Sequence, residues 1–228
     1  MFDLHGYLPL ILKGMLLTVE VAVLSLLMAV ILGLFGAAAK LSGSRLARSI
    51  AGVYTTVIRG VPDLVLMFMI FYGGQILVND IGDRLGWDYV DVSRFAAGVL
   101  TIGFIFGAYL TETFRGGIMA VPRGEIEAGY AYGMTSIQVL LRVTLPAMVR
   151  HALPGFSNNW LVLAKTTALV SLIGLHDMVD VAYQAGNATR EPFIFHLLVA
   201  ILFLVITGVS DLGLRWLGRR YSVGVRKA

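Results

Sequence analysis

At 228 residues, of which 57% are hydrophobic and only 14% charged, the chain is too apolar for a water-soluble domain of its size. It has no cysteine, which excludes disulfides and thiolate metal sites. A net charge of +4 does not point to nucleic acid, because the basic residues are spread over loops in a pattern that a membrane explains.

A bilayer core of about 30 Å takes roughly 20 apolar residues as a helix. Five such runs occur, near 8–39, 55–78, 95–119, 153–175 and 193–217, the last two broken by more polar residues than the first three. All are continuous and lack the period-2 alternation of a transmembrane strand. The expected fold is therefore an all-α polytopic membrane protein of five transmembrane helices, with 1–228 as one transmembrane domain. The first run is followed by Gly36-Ala37-Ala38-Ala39, a small-residue stretch that suggests a secretory signal. Its positive charges come after the run, at Lys40, Arg45 and Arg48, so it is expected to be a first membrane helix with its N-terminus outside.

The charges of successive loops give the orientation. Lys40, Arg45, Arg48 and Arg59 follow the first run, and Asp80, Asp83, Asp88 and Asp91 outnumber Arg84 and Arg94 after the second. Arg115, Arg123, Arg142 and Arg150 follow the third. Asp177, Asp180 and Glu191 face Arg190 after the fourth, and the tail carries Arg219, Arg220, Arg226 and Lys227. Loops alternate inside and outside, which puts the N-terminus in the periplasm and the C-terminus in the cytoplasm of a bacterial inner membrane.

The stretch 120–153 is too polar to cross a bilayer but keeps helical apolar positions at Ile126, Tyr130, Val139, Leu140 and Val143. Gly133 interrupts it, and Thr135-Ser136-Ile137-Gln138 has the form of a capping box. Two short helices meeting at a glycine are predicted, with Pro146 and Pro154 bracketing the return and Pro154 in the first turn of the fourth span.

Glu127-Ala128-Gly129, Gly133, Val143, Leu145 and Pro146 resemble the Glu-Ala-Ala signature of bacterial ABC importer permeases, with Gly129 standing where that family usually has alanine. The resemblance continues through Arg59-Gly60-Val61-Pro62-Asp63, the segment from Ala108 to Gly117, and Val121-Pro122-Arg123-Gly124. It ends with Arg219-Arg220-Tyr221-Ser222-Val223-Gly224-Val225. These motifs are most similar to the polar amino acid branch, in particular the first membrane subunit of histidine/lysine/arginine/ornithine importers.

The resemblance implies a type I importer fold and a coupling helix that enters a groove on a separate ATPase. Two ATP-binding cassette subunits, which would bind the ATP and Mg, are implied as partners; no cofactor is expected in this chain. A homologous second permease subunit in a heterodimer and a periplasmic amino-acid-binding protein complete the implied assembly. Glu127, Ala128, Gly129, Gly133, Leu145 and Pro146 are the implied coupling residues. Close packing suits the small residues, a basic partner suits the acid, and a sharp turn suits the glycine.

Polar groups within a span are costly, and each is either functional or satisfied by packing. In the fourth run Asn158 and Lys165 share one helical face and Asn159 and Thr166 the next, two stripes rising about 10 Å. These four are the candidate solute-binding residues, and interhelical hydrogen bonding is the competing account for the two asparagines and Thr166. Related permeases for basic amino acids can carry glutamate where Asn159 stands, so a second subunit is expected to supply the acid for a cationic solute. Lys165 needs a carboxylate or a water-filled cavity. Glu112 and Arg115, three apart, are expected to pair with each other.

No glycine-rich phosphate loop followed by Lys and Ser or Thr is present, so ATP must be hydrolysed elsewhere. Nor does the chain place a nucleophile beside a base, and its four histidines lack metal spacing, which argues against an enzyme. The rival reading is an ion-coupled secondary amino acid transporter acting as a dimer, although five spans without a visible repeat are few for that class.

Overall fold

The computed structural model describes residues 4–221, and every regular element among them is helical. Ser222 to Val225 of the closing motif, with Arg226 and Lys227, lie outside the described residues. Nine α-helices follow one another: α1 (Leu8–Leu41), α2 (Arg45–Gly60), α3 (Asp63–Leu85), α4 (Arg94–Met119), α5 (Arg123–Ala131), α6 (Ser136–Val139), α7 (Leu145–Thr166), α8 (Met178–Thr189) and α9 (Pro192–Tyr221). Four of them, α1, α3, α4 and α9, are long and apolar enough to cross a membrane alone. A fifth crossing results when 136–173 and α8, bent by 54° at a short break, count as one span.

The bundle is organised around α4. In its most apolar window 61% of the residues are buried, against 11% in α3 and α9, which places α4 at the centre and those two at the periphery. Helix α1 lies along α4 in parallel: Met28 meets Gly103, Leu32 meets Gly107 and Gly33 meets Leu110. Their closeness follows from small residues on both helices. A Cβ on Gly33 would lie 2.7 Å from the Leu110 Cβ, so only glycine allows this approach. Since α1 and α4 run the same way, the cationic ends that carry Lys40 and Arg115 share one face of the bundle.

Three sequence expectations are corrected. The run 55–78 is divided, with Thr55 belonging to α2 and the crossing helix beginning at Asp63. Gly60 ends α2, and Pro62, whose ring disfavours helix at the preceding residue, holds Val61 extended at φ −108° and ψ 138°. The fourth span does not begin near Leu153: α7 starts at Leu145 with Pro146 in its first turn, and Pro154 lies inside it. Membrane helices tolerate such a proline because neighbouring groups satisfy the freed carbonyl.

The region after that span is not a simple loop either. A 3₁₀ turn over Thr167–Ile173 leads to Gly174 at φ +82°, and then to α8, which packs on α1 and α9. Asp177 caps α8, its Oδ1 accepting from the Asp180 N–H at 3.0 Å, and is fully buried. The close approach depends on Gly14 of α1, where a Cβ would meet the Met178 backbone nitrogen at 2.7 Å.

Candidate functional site

The polar elbow between α4 and α7 forms as the sequence predicts. Helix α5 ends at Ala131, Gly133 takes φ +80°, and Thr135 starts α6. The capping box is complete: Thr135 Oγ1 accepts from the Gln138 N–H at 3.4 Å, and the Thr135 N–H donates to Gln138 Oε1 at 2.9 Å. The turn is closed by the Gly133 N–H on the Tyr130 carbonyl at 2.9 Å and the Met134 N–H on the Gly129 carbonyl at 3.1 Å. A π-helical turn over Leu140–Thr144 then joins α6 to α7, an element that periodicity does not reveal. Its cause is visible in Pro146, which has no N–H for the Arg142 carbonyl, so the ladder loosens upstream.

The elbow residues divide by exposure. Gly129 is buried, and a Cβ there would stand 3.1 Å from Val139 Cγ2, tight enough that alanine would press on α6. Leu145 is half-buried, whereas Glu127, Ala128, Gly133 and Pro146 are exposed. So are Tyr130, Tyr132 and Ile137, with Tyr132 reaching 87%. These large apolar side chains stand exposed on an otherwise polar excursion. Glu127 has no ion-pair partner among the described residues, so its charge is available to a basic partner.

On the same face of the bundle, Glu112 is held twice. One carboxylate oxygen accepts from Lys40 Nζ, and the other from Arg115 Nε at 3.0 Å. The Glu112–Arg115 pairing was legible from spacing, but the Lys40 partner, 72 positions away, was not. The signal that identifies it is the rule that a charge within a span finds an opposite charge. Lys40 also donates to Thr55 Oγ1 at 2.6 Å, which ties α2 to the pair. Arg59 stands 5.5 Å from the centre of the Tyr109 ring. Together these groups line an open cavity of about 560 Å³.

The four solute-binding candidates on α7 are not brought to one point. Asn159 is half-buried and donates from Nδ2 to Thr113 Oγ1 at 2.9 Å, a contact to α4. Thr166 donates to the Val162 carbonyl of its own helix at 3.1 Å. Asn158 and Lys165 are exposed, on the face turned away from α4, and Lys165 has no charged partner among the described residues.

A central helix packed in parallel on the first, a broken fourth span and a capped polar elbow define a membrane transport subunit. The chain belongs to the family of binding-protein-dependent transport system inner membrane components, whose model matches residues 8–223. It is 52% identical over 225 residues to the histidine/lysine/arginine/ornithine transport system permease protein HisQ of Escherichia coli, covering 99% of each chain. It is 38% identical to the octopine transport system permease protein OccQ of Rhizobium meliloti, covering 92% of this chain and 90% of that one. The crystal structure of an amino acid ABC transporter with histidines has a chain that superposes with a TM-score of 0.80 at 30% identity, with 96% and 99% of the two chains covered. A subunit of the MetNI methionine ABC transporter shares the fold at a TM-score of 0.67 and 15% identity.

Proposed function

We propose that this chain is the permease subunit through which an ATP-binding-cassette importer moves polar amino acids, basic ones above all, by alternating access. The observation that carries this reading is the elbow. It is a pair of short helices fixed by a glycine turn and a complete capping box, with Glu127, Ala128, Tyr132 and Gly133 turned outward. A rigid, exposed element of this kind can take a push from a partner and pass it through the π turn into α7. Gly129, Leu145 and Pro146 keep its two arms packed and aimed, and the exposed residues meet the groove of an ATPase.

In this assembly two ATPase subunits bind ATP and Mg, a second, non-identical permease subunit faces this one, and a periplasmic protein delivers the amino acid. The distribution of basic loops supports an N-terminus in the periplasm and an elbow and C-terminus in the cytoplasm. Asn158, Asn159, Lys165 and Thr166 line the solute path on α7, Lys165 meeting the solute carboxylate while the second subunit supplies an acid for its side chain. Substrate names carried by relatives with up to 99% coverage support basic amino acids as the class.

The test is uptake of labelled histidine and arginine into proteoliposomes holding the co-purified complex. Uptake is expected only with internal or accessible ATP and Mg. Accumulation driven by an ion gradient, with no ATPase chain present, would overturn the assignment in favour of a secondary transporter.

A further inference from the structure

Helix α2 has no part in the function just described, yet its surface is divided in an informative way. Ala51, Thr55 and Ile58 are buried against α1 and α4. At about 100° per residue, the remaining positions fall into two sectors. Leu46, Ile50, Val53 and Val57 form one stripe and are exposed by 70, 62, 61 and 51%. Arg45, Arg48 and Arg59 share the other sector with Ser49 and Thr56. No acid occurs between Glu20 and Asp63, and Arg45 and Arg48 have no charged partner among the described residues.

A helix with one face on protein, one apolar and one cationic fits the boundary of a bilayer. Water alone would leave four large apolar side chains wet, and hydrocarbon alone would strand two guanidinium groups. Two hydrogen bonds hold α2 against α4 and α1. The Tyr54 hydroxyl donates to the Phe104 carbonyl at 2.6 Å, while Thr55 Oγ1 accepts from Lys40 in the last turn of α1.

We propose that α2 is a binding site for an anionic phospholipid. The Leu46, Ile50, Val53 and Val57 stripe lies among acyl chains, and Arg45 and Arg48, one turn apart, hold the phosphate of one headgroup. The planar fork of arginine matches phosphate oxygens with paired hydrogen bonds. The complementarity selects a lipid over a protein occupant: the sector beside the apolar stripe asks for negative charge at headgroup level, where phosphate stands. The leaflet is the cytoplasmic one if the orientation proposed above holds, but the binding itself depends neither on that orientation nor on transport.

The experiment uses the intact complex in nanodiscs of equal phosphatidylglycerol and phosphatidylethanolamine, with retained lipids counted by native mass spectrometry. The wild type is expected to retain phosphatidylglycerol preferentially. The Arg45→Gln/Arg48→Gln variant is expected to lose that preference by about fivefold per arginine. Equal lipid retention by both overturns the site. Because the chain has no native cysteine, Val53→Cys can carry a single nitroxide. Oxygen dissolved in lipid should relax the label more than a water-soluble nickel chelate does, and the reverse order overturns the proposal. Disulfide formation, under a mild copper-phenanthroline oxidant, between Val53→Cys and a cysteine introduced on the surface of the second permease subunit would also overturn it, by showing that protein covers the stripe. A complex that keeps its lipid preference but fails in ATP-driven uptake would refute the transport reading alone.

Discussion

The Asn159 side-chain amide donates to the Thr113 hydroxyl at 2.9 Å, joining α7 to α4 one residue from Glu112. Thr113 in turn gives its proton to the Tyr109 carbonyl at 3.2 Å, so the asparagine occupies the only role left, that of donor. Asn159→Asp keeps the shape and reverses that role, adding the acid that this helix lacks. The relative uptake of arginine over a neutral amino acid should rise about tenfold, the effect of roughly 1.4 kcal/mol. Competition uptake in proteoliposomes measures it. An unchanged ratio would remove Asn159 from the solute path and leave it as an interhelical contact worth about 0.6 kcal/mol.

The ion cluster at the end of α1 gives a rank order. Glu112 is the shared acceptor of Lys40 and Arg115, and both Lys40 and Glu112 are about one-fifth exposed, at 18% and 20%. Glu112→Gln leaves a shielded lysine without its acid and should lower stability by roughly 1 to 3 kcal/mol, less than a fully buried pair would because water reaches it. Arg115→Gln should cost well under that, since Glu112 keeps Lys40 and Arg115 is 37% exposed. Thermal melting of the detergent-solubilised complex ranks the two. Equal melting points would mean that the Lys40 contact contributes nothing.

Gly133 separates backbone strain from docking. Its φ of +80° disfavours any side chain, yet nothing lies within 4 Å of a Cβ built there. Gly133→Ala should therefore cost about 1 kcal/mol of strain and retain most uptake. Gly133→Trp projects bulk from the exposed elbow and should abolish uptake while the protein still reaches the membrane. Co-purification of the ATPase with each variant is the decisive reading: a tryptophan variant that binds and transports normally would sink the coupling role.

These residues also show what the sequence discloses and what it hides. Uninterrupted apolar runs made α1, α4 and α9 legible, and the capping box and Gly133 turn were readable because each depends on residues within four positions. The start of α7 was not, because Pro154 resembles a first-turn residue, whereas the helix begins at Leu145 and runs through it. Helix α8 was hidden for a related reason. Asp177 and Asp180 look like solvated loop charges, whereas one caps the helix in full burial and the other accepts from His176 and Gln184. On α7, periodicity placed Asn158 with Lys165 and Asn159 with Thr166, but which stripe faces α4 required the packing. The Lys40 to Glu112 link joins residues whose helices run parallel, a relationship that no local pattern encodes.

The closeness of α1 and α4 supplies a last prediction with an internal control. A methyl group on Gly33 would stand 2.7 Å from the Leu110 Cβ and 3.1 Å from the Leu110 carbonyl carbon, atoms fixed to the α4 backbone and unable to rotate away. Gly33→Ala must separate the two helices and should destabilise the complex by about 1 to 3 kcal/mol. Gly52, in the interior of α2, has nothing within 4 Å of a built Cβ. There the same substitution meets no neighbour and gains helix propensity, so Gly52→Ala should leave stability unchanged or raise it by up to about 1 kcal/mol. Parallel melting curves decide between close packing and a looser bundle. If Gly33→Ala melts with the wild type, α1 and α4 do not approach as closely as their small residues allow, and the Lys40 link to Glu112 must span a gap rather than a contact.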